Sequence, residues 1–314
     1  MRFQFQQALR AVILLAFVIF LFQLHNSGDL YQYINPKYEV LSQVGCFLFL
    51  ILFLVQLTRI WAKKSCSCCS NGTGHTHDHG DGALGLKKVF FYIVILLPIL
   101  SGTLMPEVTL NSSIAEKKGS MMSLANTALS SKENKQVDPG NANIEPEPQM
   151  PGNPANENIP LEHYEEDPNV SQNIMEKAKY DQIMSKLQSE NHIQFTEQLY
   201  APFYQEINEN MRQFVGKEIT LTGFIYKEKD FKPNQFVLGR FLITHCIADA
   251  NLIGFLSELE HGTEPKEDTW VEAKGRIEIQ EYDGVEMPAL KIEEWKEIGE
   301  PKHPYVYPVS IQIH

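Results

Sequence analysis

The chain has 314 residues, enough for one large domain or two, with 43% hydrophobic residues and a formal net charge of −12. That acidic balance argues against DNA, RNA or an anionic membrane face as a partner, because each phosphate contact calls for a cation. A mean hydropathy of −0.23 reads as soluble, yet it averages a strongly apolar first third with a polar remainder.

Three apolar runs, about residues 8–24, 40–57 and 89–105, are each near the lower length limit for a helix crossing a bilayer of about 30 Å. They predict three transmembrane helices in a domain spanning residues 1–105. Arg2 and Arg10 before the first run resemble the start of a signal peptide, but no Ala-x-Ala-like site follows, so the helix is expected to stay. Pro98 predicts a kink in the third helix, while Trp61, Phe90, Phe91 and Tyr92 read as interfacial aromatics. Cys46 reads as a small packing residue.

Sidedness follows from the cations. Arg59, Lys63, Lys64, Lys87 and Lys88 lie between the second and third runs, whereas Lys37 alone lies between the first and second. The positive-inside rule therefore places the N-terminus and the second connection in the cytoplasm, and all that follows residue 105 outside. The expected location is the cell membrane, as a multi-pass protein in contact with membrane lipid.

The second connection carries the densest chemistry. Cys66, Cys68 and Cys69 supply soft thiolates, His75, His77 and His79 supply imidazoles, and Gly72, Gly74, Gly80 and Gly82 leave the backbone free to wrap. These donors suit Zn²⁺ or Cu⁺ and not Mg²⁺ or Ca²⁺. A reducing cytoplasm would keep the thiols able to bind. Their spacing is not that of a zinc finger, so no preformed tetrahedral site follows. The competing reading is a polar loop whose cysteines are sites of oxidation or acylation.

Residues 106–167 change abruptly to Asn, Pro, Glu, Ser and Lys, with neither helical nor strand periodicity in NANIEPEPQMPGNPANENIP. This predicts a disordered acidic linker. Order is expected to resume at 168–314. Apolar residues at three- and four-residue offsets predict a helix over 170–187 and a second over 203–214, stopped by Gly216.

Beyond Gly216 the runs ITLTGFIYK, QFVLGRFLITHCIADANLIGFL, WVEAKGRIEIQ and PALKIEEWKEI are rich in β-branched and aromatic residues. Gly223 and Gly275 fall mid-strand, where a missing side chain permits sharp coiling, and Asp283-Gly284 marks a hairpin turn. With a helical SELEHG insertion before the fourth strand, the pattern predicts a small OB-like β-barrel flanked by helices. The fold class is then α+β, with transmembrane helices at the start and the barrel at the end. Phe231, Phe236, Phe241 and Tyr282 could stack bases, but the acidic balance weighs against nucleic acid and favours core roles.

Near the end of one strand, His245, Cys246 and Asp249 bring three potential metal ligands into five positions. Adjacent strand residues face opposite sides, so His245 and Cys246 could share an ion only at a bulge or strand end. A half-buried His beside a packed Cys is the alternative. The chain contains no nucleophile with an evident base, no phosphate-cradling glycine loop and no paired acid motif, so no enzyme is expected.

PEVTLNSSIAEKKG at 106–119, GKEITLTGFIY at 216–226, RFLITHCIADA at 240–250 and PYVYP at 304–308 give the chain a layout that resembles the YcgQ-like family of bacterial permease subunits. The resemblance implies pairing with a separate multi-pass permease. Together with the Cys/His residues, it leads to an expected accessory subunit of a permease for a metal or metalloid ion. The alternatives are an envelope module whose OB-like domain recognises a sugar or peptide, and a metal or redox sensor.

Overall fold

The computed structural model describes residues 4–61, 86–104, 109–118, 173–260 and 262–312. The chain divides into two compact units: Met1–Tyr33 with Tyr38–Val108, and Ile34–Lys37 with Thr109–His314. The architecture is mixed, with apolar helices in the first unit and a sheet-rich second unit.

In the first unit, α1 (Phe5–Ser27) and α2 (Glu39–Ile60) are long and apolar enough to cross a membrane. A third helix, α3 (Leu86–Leu104), contains Pro98 and a shorter apolar stretch, Phe90–Gly102. Gly28, at φ 81°, ends α1 in the left-handed conformation that glycine tolerates. Polar groups join the helices where hydrocarbon would leave them unsatisfied. Gln56 Nε2 donates to the Gln7 carbonyl at 3.2 Å and to the Gln7 side chain, and Phe17 stacks on Phe49.

The second unit includes α4 (Ser112–Lys118), so these residues do not belong to a structureless linker as the composition had suggested. Ala115 is fully buried and the Ser112 N–H donates to Asp268 at 2.8 Å, which ties α4 to the sheet despite its polar sequence. The helix expected over 170–187 starts later. Residues Ile174–Glu176 form β1 and α5 covers Lys177–Ser189, because β1 pairs with β8 (Ser310–Gln312) at the far end of the chain. After β2 (His192–Gln194), the helix expected over 203–214 is broken at Asn210 into α6 (Tyr200–Glu209) and α7 (Met211–Phe214). Gly216 adopts φ 83° just beyond it.

The sheet proper contains β3 (Glu218–Tyr226), β4 (Gln235–Leu242), β5 (Asn251–Leu259), β6 (Trp270–Tyr282) and β7 (Val285–Glu297). Pairings run from β3 to β4, β5, β7 and β6, and β6 returns to pair with β3, while β2 adds to the other side of β3; β2 with β3 and β5 with β7 are parallel, the others antiparallel. A strand with neighbours on both edges and layers on both faces reads as continuously apolar, which explains QFVLGRFL. Every residue of β4 from Gln235 to Phe241 is buried.

Ser257, Glu258 and Leu259 are the end of β5, paired with Leu290, Lys291 and Ile292, so the expected helical SELEHG insertion does not form there. A fully buried Ser257 and a buried Leu259 give this segment a sheet partner that local propensity could not reveal. The β6–β7 hairpin turns at Asp283 (φ 49°) and Gly284 (φ 78°), the positive pair that a two-residue turn between twisted strands demands. Gly275 sits at a register shift in β6. Phe195, Phe203 and Tyr204 close one side of the core edge-on, with Phe195 and Tyr204 meeting Phe255, so α6 lies over β5.

Candidate functional site at the His245 loop

Nine residues are candidate ligands by their chemical type. Cys66, Cys68, Cys69, His75, His77 and His79 lie outside the described residues. His245, Cys246 and Asp249 lie in the loop between β4 and β5.

That loop is held from its own interior. β4 ends at Leu242, and the Ile243 N–H donates to the Val306 carbonyl at 3.0 Å, so the C-terminal segment takes over as the strand's neighbour. The chain then folds around Asp249. Its carboxylate accepts the Thr244 N–H at 3.1 Å and the His245 N–H at 2.9 Å, and lies 2.9 Å from His245 Nδ1. Partial burial opposes ionisation of Asp249. The hydrogen bonds from the His245 ring and from the backbone of residues 244–246 outweigh it and hold the carboxyl below its ordinary value of 3.8.

The structure therefore joins His245 to Asp249 but sends Cys246 elsewhere. Cys246 is half-buried and forms an antiparallel bridge with Ile34. His245 is 66% exposed at its side chain, with Nδ1 turned to Asp249. A carboxylate on one ring nitrogen orients the imidazole, the arrangement common behind metal-bound histidines. Among the described residues, no group of three His, Cys, Asp or Glu side chains gathers closely enough to hold a metal.

Three residues that sequence reasoning passed over organise this region. Asn35, only 4% exposed, donates from Nδ2 to the Thr244 carbonyl at 2.9 Å and the Ile243 carbonyl at 3.4 Å, while its N–H donates to the His245 carbonyl at 2.9 Å. Lys118 Nζ binds the other end of the loop, at the Ala248 carbonyl 3.1 Å away and the Ala250 carbonyl 2.5 Å away. Arg240 lies beneath, 2% exposed. Its Nε donates to the Pro304 carbonyl at 3.1 Å and an NH2 hydrogen bonds the His303 carbonyl, with Glu197 Oε1 at 3.6 Å. The guanidinium also lies over Trp270 at 5.7 Å and Tyr200 at 6.0 Å. A lone arginine inside an apolar run was the one available signal for the last of these; nothing marked Asn35 or Lys118.

A second electrostatic cluster lies on β3. The Lys274 ammonium 3.0 Å from Glu218, together with His192 Nδ1 at 2.6 Å, holds the Glu218 carboxyl below its ordinary value of 4.5 against partial burial. Both carboxylates have depressed folded-state values. Their stabilisation is full above the unfolded values and is lost as pH falls through the lower folded ones. The C-terminal domain is therefore expected to lose stability on acidification below about pH 4. Urea midpoints measured against pH would follow this, and Asp249→Asn should flatten the lower part of the curve.

Residues 9–121 match the DUF1980 N-terminal domain, and residues 170–308 match the DUF1980 C-terminal domain. This chain belongs to the YcgQ-like DUF1980 family. It is 29% identical to UPF0703 protein YcgQ of Bacillus subtilis, over 95% of this chain and 98% of the relative. It is also 29% identical to a Streptococcus mutans protein, over 91% of this chain and 94% of that one; the latter bears the provisional name of a two-component membrane permease complex subunit. No solved structure matches significantly. The division of the DUF1980 family does not coincide with the division of the fold. Ile34–Lys37 and residues 109–118 fall in the N-terminal match but in the C-terminal folded unit.

Proposed function

We propose that the protein is the accessory subunit of a two-component membrane permease. The observation that carries this is the near full-length similarity to the Streptococcus mutans protein of that provisional name. Few helices long enough to cross a bilayer cannot enclose a transport path alone, which calls for a separate multi-pass partner.

In this reading α1, α2 and α3 all span the membrane. Support comes from chain connectivity: Ile34–Lys37 and Thr109–His314 are parts of one folded unit and so share one side. If α1 and α2 cross, the chain emerges from α2 opposite that side, and α3 must return it. The 19 residues of α3 give about 28 Å of helix, close to the hydrocarbon thickness. The basic connection between α2 and α3 sets the N-terminus and Cys/His loop in the cytoplasm and the C-terminal domain outside. The ring of five strand pairings with one parallel neighbour supports an OB-type barrel.

The transported solute in this reading is a metal or metalloid ion, captured as Zn²⁺ or Cu⁺ by Cys66, Cys68, Cys69, His75, His77 and His79, whose donor chemistry is the support. In this reading the protein carries out no catalytic step. Tagged full-length protein purified in mild detergent from its own host should bring a multi-pass protein with it, and should carry metal that is lost when all six loop ligands become Ser or Ala. A lone monodisperse protein would sink the subunit reading. Equal metal content in the two proteins would remove the ion and leave the subunit.

A further inference from the structure

Two segments that are continuous with the membrane helices are built into the C-terminal unit. The first is Ile34–Lys37, which leaves α1 only a few residues after Ser27 and enters α2 at Glu39. Asn35 is buried and its hydrogen bonds reach the carbonyls of Ile243, Thr244 and His245; its own Oδ1 accepts the Lys37 N–H at 2.9 Å, and Ile34 bridges Cys246. The second is residues 109–118, which follow α3. Leu110 donates its N–H to the Tyr305 hydroxyl at 2.8 Å, Ser112 binds Asp268 and the Ile225 carbonyl, Ala115 is wholly buried, and Lys118 binds the Ala248 and Ala250 carbonyls. The two segments grip opposite ends of one loop, residues 243–250.

We propose that these segments are docking straps, and that they hold the C-terminal domain non-covalently to the helical part of the same chain, with the His245 loop as the seat for both. The domain is thus not a module on a leash. The roughly fifty residues between Lys118 and Asn173 are dispensable as the attachment, and what retains the domain is a set of hydrogen bonds, most of them to backbone carbonyls and sheltered in part from water. Asn35 suits this role because its amide both donates and accepts, so it can satisfy two loop carbonyls and its own following N–H together.

The test uses the full chain in detergent, with a tag at the N-terminus and a protease site inserted within residues 141–160. After cleavage, the fragment holding residues 173–312 should elute with the tagged N-terminal fragment. Combining Asn35→Ala with Ala115→Asp should release it, with roughly tenfold less retained, since several hydrogen bonds and a buried surface are lost together. A wild-type fragment that washes away on cleavage overturns the proposal. A second measurement guards against a variant that merely misfolds. In a chain with Cys46, Cys66, Cys68 and Cys69 changed to Ser, Ile34→Cys should form a disulfide with Cys246 under mild oxidation, because bridge partners lie within disulfide reach. Ser27→Cys should not. Equal crosslinking by the two overturns the proposal. Neither readout depends on a permease partner, so its outcome is separate from that of the subunit reading.

Discussion

Arg240→Ala is expected to destabilise the C-terminal domain by about 2–4 kcal/mol, from an unsatisfied buried acceptor and the packing lost with a large buried side chain. The arginine joins four parts of the domain: β4 itself, the 303–304 carbonyls, Glu197 before α6, and the rings of Tyr200 and Trp270. Truncation leaves the buried Pro304 carbonyl unsatisfied, takes the donor from the His303 carbonyl, and removes the cation from beside two aromatic faces. Glu197 contributes less, being partly solvated and 3.6 Å away. Arg240→Lys should recover only part of the loss, because a single ammonium cannot reproduce the planar fork that serves several acceptors at once. Urea unfolding followed by Trp270 fluorescence measures both, and a midpoint for Arg240→Ala equal to wild type would show that the guanidinium is not what ties the C-terminal segment down. The same substitution should loosen the His245 loop from below, since Ile243 and Val306 are joined just beyond it.

Gly254→Ala should cost about 3 kcal/mol, the upper part of the range for overpacking. A Cβ there would meet the Leu238 carbonyl oxygen at 2.3 Å and the Gly239 Cα at 2.5 Å. Both obstacles are backbone, so no flexible side chain can move aside. Gly239 faces Gly254 across the β4–β5 pair and Gly223 approaches Gly239 from β3, which makes a row of glycines where three strands bend tightly past one another. Gly299→Ala is the control: nothing lies near its Cβ, and its effect should stay within about 0.5 kcal/mol. Equal midpoints for the two variants would mean that the strands separate easily enough to admit a methyl group.

Much of the architecture was legible locally. The strand runs, the Asp283-Gly284 turn and the stop at Gly216 all rest on short-range rules, and each is found where those rules put it. Gly223 and Gly275 were legible as mid-strand glycines that permit sharp coiling; the backbone of a neighbouring strand that each of them meets is a matter of the fold. The failures share a cause. SELEHG has helical composition but belongs to β5, and SSIAEKK has linker composition but carries the buried Ala115; in each case the deciding partner lies far along the chain.

The candidate site divides in the same way. Residue types alone singled out His245, Cys246 and Asp249 as chemically capable, and apolar runs and alternation alone marked the N-terminal apolar helices and the sheet-forming half of the chain. Which of the three would meet, and what would hold them, was a matter of tertiary structure. Asp249 turns back on His245 because the loop needs its backbone N–H groups satisfied. Cys246 pairs instead with Ile34, from a segment more than two hundred positions earlier, and Asn35 and Lys118 become decisive only because the fold brings them to the same carbonyls. Hydrogen bonds to backbone carbonyls leave no signature in the residues that offer them, since every residue has one; only the folded chain selects which are left to be met.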